Sequence, residues 1–241
     1  MIQFQDLHKA FDGKSVLAGF TLAVPDGETM VIIGYSGAGK SVALKHVVGL
    51  LHPDAGDVIV DGRAVASLDR PGLTTLRREI GFVFQFAALF DSLTVADNVA
   101  LGLRRRGLEE DEIVARVREA LALVDLTGAD DRMPAELSGG MRKRVGIARA
   151  IALRPRYILY DEPTTGLDPV TSAVMDQLMV RTRVHLGVTG IVVSHDMRSA
   201  YTVGDRIAML YEGRVRQVGP VAEIQQSDDP VVRQFVEGRP G

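Results

Sequence analysis

Short apolar runs alternate along this chain with longer segments in which apolar residues recur every three or four positions. Residues 30–33, 157–160 and 190–193 form runs without a charged residue, a pattern typical of strands buried on both faces of a parallel sheet. Residues 206–210 and 213–218 flank a Glu-Gly turn and predict a late pair of strands. The alternation of strands and helices predicts an α/β fold in which helices cover a mainly parallel sheet.

The middle of the chain follows a helical pattern instead. Ile113, Val117, Leu121 and Val124 recur at helical spacing, and no strong strand pattern occurs from about residue 91 to residue 153. We therefore predict a helical insert within the α/β fold. The predicted division of the chain is an α/β core at 1–86 and 154–226, a helical subdomain at 87–153 and a tail at 227–241.

Composition and charge narrow the possible classes of function. Of the 241 residues, 46% are hydrophobic and 24% are charged, and the formal net charge is −3. This balance gives no electrostatic reason to expect a nucleic-acid partner. The absence of cysteine excludes disulfides and thiolate metal sites. No signal-peptide pattern and no apolar stretch of about 18 residues occurs, so we expect a cytosolic protein.

A glycine-rich segment follows the first buried run and fits the phosphate-loop pattern G-x-x-x-x-G-K-[ST]. Its residues are Gly34, Tyr35, Ser36, Gly37, Ala38, Gly39, Lys40 and Ser41. Glycines let successive backbone N–H groups face an anion at the start of a helix, which we predict over residues 42–51. Lys40 would meet the β- and γ-phosphates, and Ser41 would offer a hydroxyl to Mg²⁺. The alternative is a plain glycine-rich turn between strand and helix.

A second candidate lies where the run at 157–160 ends in Asp161 and Glu162. A buried strand that delivers a carboxylate completes the magnesium site of a phosphate-loop enzyme, a role that suits Asp161. Glu162 is the candidate base for an attacking water. By itself, a strand that ends in two acidic residues is also common at a solvent-exposed turn.

Residues 137–144, LSGGMRKR, form the third candidate. Ser138 has the position of a helix N-cap before an apolar face, and Gly139 and Gly140 make the helix start a second possible anion-binding terminus. The alternative is an ordinary capped helix. The basic residues at 142–144, like those at 104–106, are expected to form solvated faces, and direct contact with a partner is the alternative.

Together these segments resemble the nucleotide-binding subunits of ABC transporters over nearly the whole chain. Residues 34–41 match the Walker A loop, 157–161 the Walker B strand, and 137–141 the signature motif, which here is LSGGM where LSGGQ is commoner. The resemblance implies a P-loop NTPase core of the ABC ATPase type with a predominantly parallel sheet. It also implies an N-terminal antiparallel β portion and an inserted helical signature subdomain.

The resemblance assigns further roles residue by residue. Gln85 matches the Q-loop, Phe11 an adenine-stacking aromatic, Asp168 the D-loop and His195 the switch histidine. The implied catalytic residues are Glu162, His195, Lys40 and Gln85, and the implied Mg²⁺ ligands are Ser41, Gln85 and Asp161. The implied ATP contacts are Phe11, residues 34–41, Val42, Ser138, Gly139, Gly140 and Asp168. The alternatives are a polar strand end for Gln85, a core position for Phe11 and a loop histidine for His195.

Several local choices resemble one branch of this family, the ATPases of Mla-type lipid transport systems. These are GKSVALK at 39–45, FAALFDSLTVADNVA at 86–100, and the sequences at 137–152 and 158–169. This resemblance implies phospholipid transport between the inner and outer membranes. The implied partners are a second copy in a head-to-tail ATP sandwich, membrane permease subunits, which residues 92–95 would contact, and indirectly an MCE-domain protein. The implied location is the cytoplasmic face of the inner membrane.

Three other functions stay open at this point. An ABC importer for amino acids or metals is the nearest alternative, against which the GKSV and LSGGM choices count modestly. A non-transport ABC protein usually has two ATPase domains or a long coiled coil, which 241 residues do not accommodate. A phosphate-loop kinase would have no LSGG helix and would need a second substrate pocket.

Overall fold

The structure, a computed structural model, describes residues 1–239, so Pro240 and Gly241 of the predicted tail lie outside it. The chain forms two compact units. The first unit comprises Met1–Arg77 and the chain from Thr189 onward, and the second unit comprises Arg78–Val188. The boundaries that we predicted from sequence, with a helical subdomain at 87–153, stay a prediction.

The strands and helices follow one another in the alternating order that the sequence predicts. The first part of the chain contains β1 (Ile2–Phe11), β2 (Lys14–Val24), β3 (Thr29–Ile33), α1 (Lys40–Val47), β4 (Ala55–Val60), β5 (Arg63–Ala64), α2 (Arg70–Arg78) and β6 (Ile80–Val83). The middle contains α3 (Val95–Arg105), α4 (Glu110–Leu123), α5 (Gly139–Ile151), β7 (Tyr157–Asp161) and α6 (Pro169–Leu186). The last part contains β8 (Thr189–Val193), α7 (Met197–Val203), β9 (Arg206–Tyr211), β10 (Arg214–Pro220), α8 (Val221–Gln225) and α9 (Pro230–Val236).

An antiparallel sheet in the order β2-β1-β4-β5 opens the first unit, as predicted for the N-terminal portion. Ile2, Phe4 and Leu7 of β1 are buried, and Ile2 and Phe4 lie opposite Val24 and Leu22 of β2. The strands are joined at Asp12 and Gly13, which both have positive φ angles as tight hairpins require. This sheet places Phe11 at the end of β1, immediately before the hairpin turn.

A parallel arrangement carries the loops of interest in both units. In the first unit, β3 lies between β8 and β9 and runs parallel to both, while β10 is antiparallel to β9. In the second unit, β6 runs parallel to β7. The strands β3, β7 and β8 are buried at every residue, which confirms the prediction from their uninterrupted apolar runs.

Helices dominate the second unit between β6 and β7, and residues 84–156 contain no strand. Ile113, Val117, Leu121 and Val124 are all buried, which confirms the helical face that their spacing predicts. No helix within residues 1–239 is long and apolar enough to cross a membrane.

The helix predicted over residues 42–51 is shorter than expected. It begins at Lys40 and ends at Val47. Gly49 has a φ of 60°, and the N–H of Leu50 donates to the carbonyl of Lys45 at 2.9 Å. A left-handed glycine followed by such a bond is a common way to end a helix, so apolar Leu50 and Leu51 fall outside it.

Candidate active site

The phosphate-loop segment leaves the buried strand β3 and enters α1. Gly34 has a φ of 154°, and a Cβ at this position would lie 2.4 Å from the carbonyl oxygen of Leu210 on β9. Gly37 has a φ of 78°, with open space where a Cβ would lie. The loop therefore needs glycine at Gly34 for a close approach of two backbones, and at Gly37 for a left-handed turn.

Lys40 is almost completely buried at the start of α1. Its Nζ donates to the carbonyl oxygens of Gly34 at 2.8 Å and Tyr35 at 3.1 Å. The ammonium group thus lies against the carbonyls of the loop, at the start of α1. Positive charge at the start of a helix favours an anion such as a phosphate.

Tyr35, within the loop, belongs to a cluster of three aromatic rings. Its ring centroid lies 5.0 Å from that of Phe235 on α9 and 6.4 Å from that of Tyr211 on β9, both edge to face. Asp229 accepts hydrogen bonds from Val231 and Val232 at the start of α9 and also pairs with Arg216. The tail is therefore a helix anchored in the first unit, with its aromatic residue on the phosphate loop.

His195 and Phe11 are both exposed residues of the first unit. The N–H of Ser194 donates to the carbonyl of Ile32 at 3.2 Å, so the chain after β8 leaves the same sheet edge as the phosphate loop. Asp196 then caps α7, with its carboxylate accepting from Arg198 and Ser199. Phe11 is 41% exposed, and the Lys9 ammonium lies 5.6 Å from its ring centroid. Its ring therefore lies outside the core, so the alternative of a core position for Phe11 does not apply.

The end of β7 holds the two acidic residues of the second unit. Asp161 is buried, whereas Glu162 is half-buried with a φ of 50°. The Thr165 hydroxyl donates to Oε2 of Glu162 at 2.9 Å. Lys143 on α5 braces the following turn, because its Nζ donates to the carbonyls of Pro163 at 2.9 Å and Thr165 at 2.7 Å. Burial lowers the pKa of Lys143, while the nearby Glu162 charge opposes that shift.

Ser138 and Asp168 are both N-caps, a role that the sequence predicted for Ser138 alone. The Ser138 hydroxyl accepts from the N–H of Met141 at 3.2 Å at the start of α5. Asp168 accepts from the N–H groups of Val170 and Thr171, both at 3.0 Å, at the start of α6. The Thr171 hydroxyl also donates to Asp168, and this bond is the main reason that the pKa of Asp168 is lowered.

Gln85 follows β6, which lies beside β7, so Gln85 and Asp161 leave the same edge of a parallel pair. After Phe86, Ala87 and Ala88 have φ angles of 57° and 47°. Only a few per cent of non-glycine residues adopt positive φ angles. Arg149 on α5 donates to both of their carbonyl oxygens at 2.7 Å. The loop after Gln85 is thus held by a side chain of the signature helix.

Beyond this loop, the buried side chain of Asn98 holds the segment that precedes α3. Its Oδ1 accepts from the N–H of Phe90 at 2.8 Å, and its Nδ2 lies within hydrogen-bond distance of the carbonyls of Phe90, Leu93 and Thr94. Next to this segment is a groove of about 380 Å³ in the second unit. Its lining residues include Phe82, Phe84, Phe90, Leu101, Arg149 and Leu153.

The prediction that the two basic clusters form solvated faces is wrong for several of their members. Arg106 donates to the carbonyls of Leu153 and Arg78, and Lys143 donates to the turn after Glu162. Arg106 and Lys143 turn inward because backbone carbonyls at turns need donors. Arg142 is exposed, as predicted, although it also donates to the carbonyl of Leu137 at 2.6 Å. Nothing in the local sequence identifies those distant acceptors, and Arg149 was missed for the same reason.

Comparison with known proteins places these motifs in a family. Residues 17–165 match the family model described as ABC transporter. The chain is 42% identical over 239 residues to a probable ribonucleotide transport ATP-binding protein, mkl, of Mycobacterium bovis, covering 99% of this chain and 67% of that protein. It is 44% identical over 228 residues to the methionine import ATP-binding protein MetN of Xanthomonas axonopodis pv. citri, covering 93% and 68%.

Solved structures show the same fold. A dimeric post-hydrolysis state of the ATP-binding cassette MJ0796 bound to ADP and Pi matches with a TM-score of 0.84 at 35% identity, covering 92% of this chain and 99% of that chain. The structure of cbiO1 from Clostridium perfringens, part of the ABC transporter complex cbiONQ, matches with a TM-score of 0.87 at 31% identity, covering 97% and 93%.

Proposed function

The chain belongs to the ABC transporter family, and from that premise we propose that it supplies the energy for lipid transport across a cell envelope. It binds ATP with Mg²⁺ and hydrolyses ATP. The phosphate loop carries this proposal, because Lys40 and the start of α1 form a site for a triphosphate.

The reaction transfers the γ-phosphoryl group of ATP to water. In our proposal Glu162 accepts a proton from the attacking water, whose oxygen bonds to the γ-phosphorus as the bond to the β–γ bridging oxygen breaks. Lys40 and His195 stabilise the negative charge on the transferring group. The products are ADP and inorganic phosphate. The Thr165 hydroxyl, bonded to Glu162 at 2.9 Å, orients that carboxylate.

Ser41, Gln85 and Asp161 are the proposed ligands of Mg²⁺. A hydroxyl, an amide and a carboxylate suit this ion, which prefers oxygen donors and keeps several waters. Within residues 1–239 no group of three His, Cys, Asp or Glu side chains is placed to hold a metal. When bound, Mg²⁺ neutralises charge on the β- and γ-phosphate oxygens.

We further propose that two copies close head to tail on two ATP molecules, so that Ser138, Gly139 and Gly140 of one copy face the phosphates of the other. The dimeric cassette MJ0796 supports this arrangement. Asp168 and Phe11 are the remaining proposed nucleotide contacts.

Permease subunits would bind near residues 92–95, and the adjacent groove supports this because Phe84 and Phe90 are exposed large apolar residues. The assembly would lie on the cytoplasmic face of the inner membrane.

Lipid as the cargo, with an MCE-domain protein as an indirect partner, rests on the sequences at 39–45, 86–100 and 137–152. A second candidate is import of an amino acid, which the 44% identity to a methionine import ATP-binding protein favours. The two named relatives are nearly equally identical to this chain but differ in the cargo that their names describe. An experiment therefore has to identify the cargo.

The Glu162→Gln variant tests the mechanism and the cargo together. We expect ATP binding to be retained and turnover to fall about 10²- to 10⁴-fold. The exposed Glu112→Gln variant serves as a matched control that retains turnover. Unchanged turnover in Glu162→Gln would rule out this residue as the base.

The same variant, purified from membranes with its permease in the ATP-bound form, then reports the cargo. Mass spectrometry of bound small molecules, and stimulation of wild-type hydrolysis by phospholipid vesicles or by methionine, separate the two candidates. Phospholipid supports our proposal, and methionine supports the second candidate.

A further inference from the structure

The loop after Gln85 has a backbone conformation that its residues do not favour. Ala87 and Ala88 are successive left-handed residues, and a Cβ in this region lies too close to the following carbonyl oxygen. Glycine would adopt both conformations freely. The loop therefore needs support from elsewhere to keep two alanines in this state.

Arg149 provides that support from α5. Its two guanidinium nitrogens, Nη1 and Nη2, donate to the carbonyls of Ala88 and Ala87, each at 2.7 Å. Burial lowers the pKa of this guanidinium, and no neighbouring carboxylate in the described part of the chain contributes to the shift. An arginine nevertheless stays charged in a protein, and this half-buried, charged donor forms strong hydrogen bonds to its carbonyl acceptors.

The position of Arg149 on its helix connects two parts of the proposed site. At 1.5 Å per residue, it lies roughly 16 Å along α5 from Ser138, the N-cap that is proposed to face the ATP of the other copy. Since α5 is one continuous helix, Ser138 and the guanidinium that holds Ala87 and Ala88 belong to the same element. Both Ala88 and Arg149 also line the groove described above.

We propose that Arg149 is a positioning residue for Gln85. By bonding to the carbonyls of Ala87 and Ala88, it holds these two residues in the left-handed conformation and thereby fixes the place of Gln85. The inference rests on the proposed role of Gln85 in binding Mg²⁺. When the guanidinium is withdrawn, the two alanines relax towards their favoured conformation and Gln85 leaves its place. Nucleotide affinity at the phosphate loop, which is built from other residues, stays as it was.

The test compares the full chain carrying Arg149→Met with a rescue variant that adds Ala87→Gly and Ala88→Gly. We expect Arg149→Met to lower kcat about 10- to 100-fold, because small displacements of a positioned group are costly in catalysis. We also expect a higher Mg²⁺ concentration for half-maximal hydrolysis and an ATP Kd within about twofold of wild type. The added glycines should restore most of kcat, since they occupy the left-handed region without support.

Arg144→Met is the matched control. Arg144 lies on the same helix and donates to the carbonyl of Asp125, itself a residue with a φ of 54°, so it makes the same kind of bond at a different turn. Its kcat should stay within about twofold of wild type. Arg149→Lys, which retains charge but reaches one carbonyl at a time, should be intermediate and serves if the methionine variant is poorly folded.

The outcomes separate this inference from the proposed function. Wild-type kcat in Arg149→Met, or a glycine rescue variant that is no more active than Arg149→Met, would overturn the inference alone. Wild-type kcat in Gln85→Ala would overturn both the role of Gln85 and the inference. Restoration of kcat and of the Mg²⁺ dependence by the two glycines would support it, because a residue that only stabilises the unit would not be replaced in this way.

Discussion

The phosphate loop and the loop after Gln85 both contain left-handed backbone, but different residue types adopt it. Each leaves a buried parallel strand and each contains left-handed residues. In the phosphate loop these residues are Gly34, Gly37 and Gly39, whereas in the other loop they are Ala87 and Ala88. Glycine makes the first conformation intrinsic to the chain, while the second depends on a distant guanidinium. The conformation of the first loop therefore follows from its own residues, whereas in our proposal that of the second is held by Arg149.

The largest expected effect breaks the phosphate loop itself. In Gly34→Ala the new Cβ would meet the Leu210 carbonyl at 2.4 Å, and backbone of a buried strand cannot move away. We expect a loss of about 3 kcal/mol or more in the free energy of unfolding, with loss of ATP binding. Urea denaturation and equilibrium ATP binding measure both.

Gly37→Ala is the matched control for that clash, because its Cβ would enter open space. Only the left-handed backbone would cost free energy, about 1–2 kcal/mol. If the two variants were equally destabilised, the close approach of Gly34 to β9 would not be the reason that the loop requires glycine there.

A smaller effect is expected where side chains support the backbone. Asn98→Ala removes the amide that bonds to Phe90, Leu93 and Thr94, so the Phe90 N–H and the Leu93 carbonyl lose the partner that this side chain provides. We expect a loss of about 1–3 kcal/mol, with faster hydrogen exchange at the Phe90 N–H and unchanged ATP affinity. Gln5→Ala, an exposed amide, should cost less than about 0.5 kcal/mol. Lost ATP affinity in Asn98→Ala would show that the two loops are not independent.

The smallest effect concerns a turn that is held by charge. The hydrogen bond from Thr171 holds the pKa of Asp168 below its ordinary value, so ionised Asp168 stabilises the fold. That contribution is fully present above the ordinary carboxyl pKa of about 3.9 and is lost as the pH falls through the lower, folded-state value. In denaturation experiments at several pH values, Asp168→Asn should make the free energy of unfolding fall less steeply at acidic pH than it does in the wild type. Exposed Asp131→Asn should leave the wild-type slope, and an unchanged slope in Asp168→Asn would contradict the assignment.

The elements and most candidate residues follow from the sequence, because the relevant signals are local. Uninterrupted apolar runs identified β3, β7 and β8, and the cap Ser138 was predicted from its position before a helical segment. The capping role of Asp168 was not predicted. The end of α1 was missed because apolar Leu50 and Leu51 extend the pattern past Gly49. The predicted roles of Glu162, Gln85 and His195 stay predictions.

The supporting residues did not follow from the sequence. Arg149 bonds to carbonyls 61 and 62 positions away, and any residue type provides a carbonyl. Lys143 likewise donates to the carbonyl of Pro163, which is 20 positions away in the sequence. Basic residues on a helix next to apolar ones predict a solvated face, and only the packing of the second unit shows that these turn inward. Side chains that support distant backbone carbonyls can be identified only from the tertiary structure.

The aromatic cluster around Tyr35 has a practical consequence for spectroscopy. The chain contains no tryptophan and five tyrosines, so its ultraviolet emission comes from tyrosine, and Tyr35 and Tyr211 both stand in the cluster that touches the phosphate loop. Replacing Phe235 by tryptophan would install a single indole fluorophore 5.0 Å from the Tyr35 ring position, an optical reporter of nucleotide arrival that needs no chemical dye.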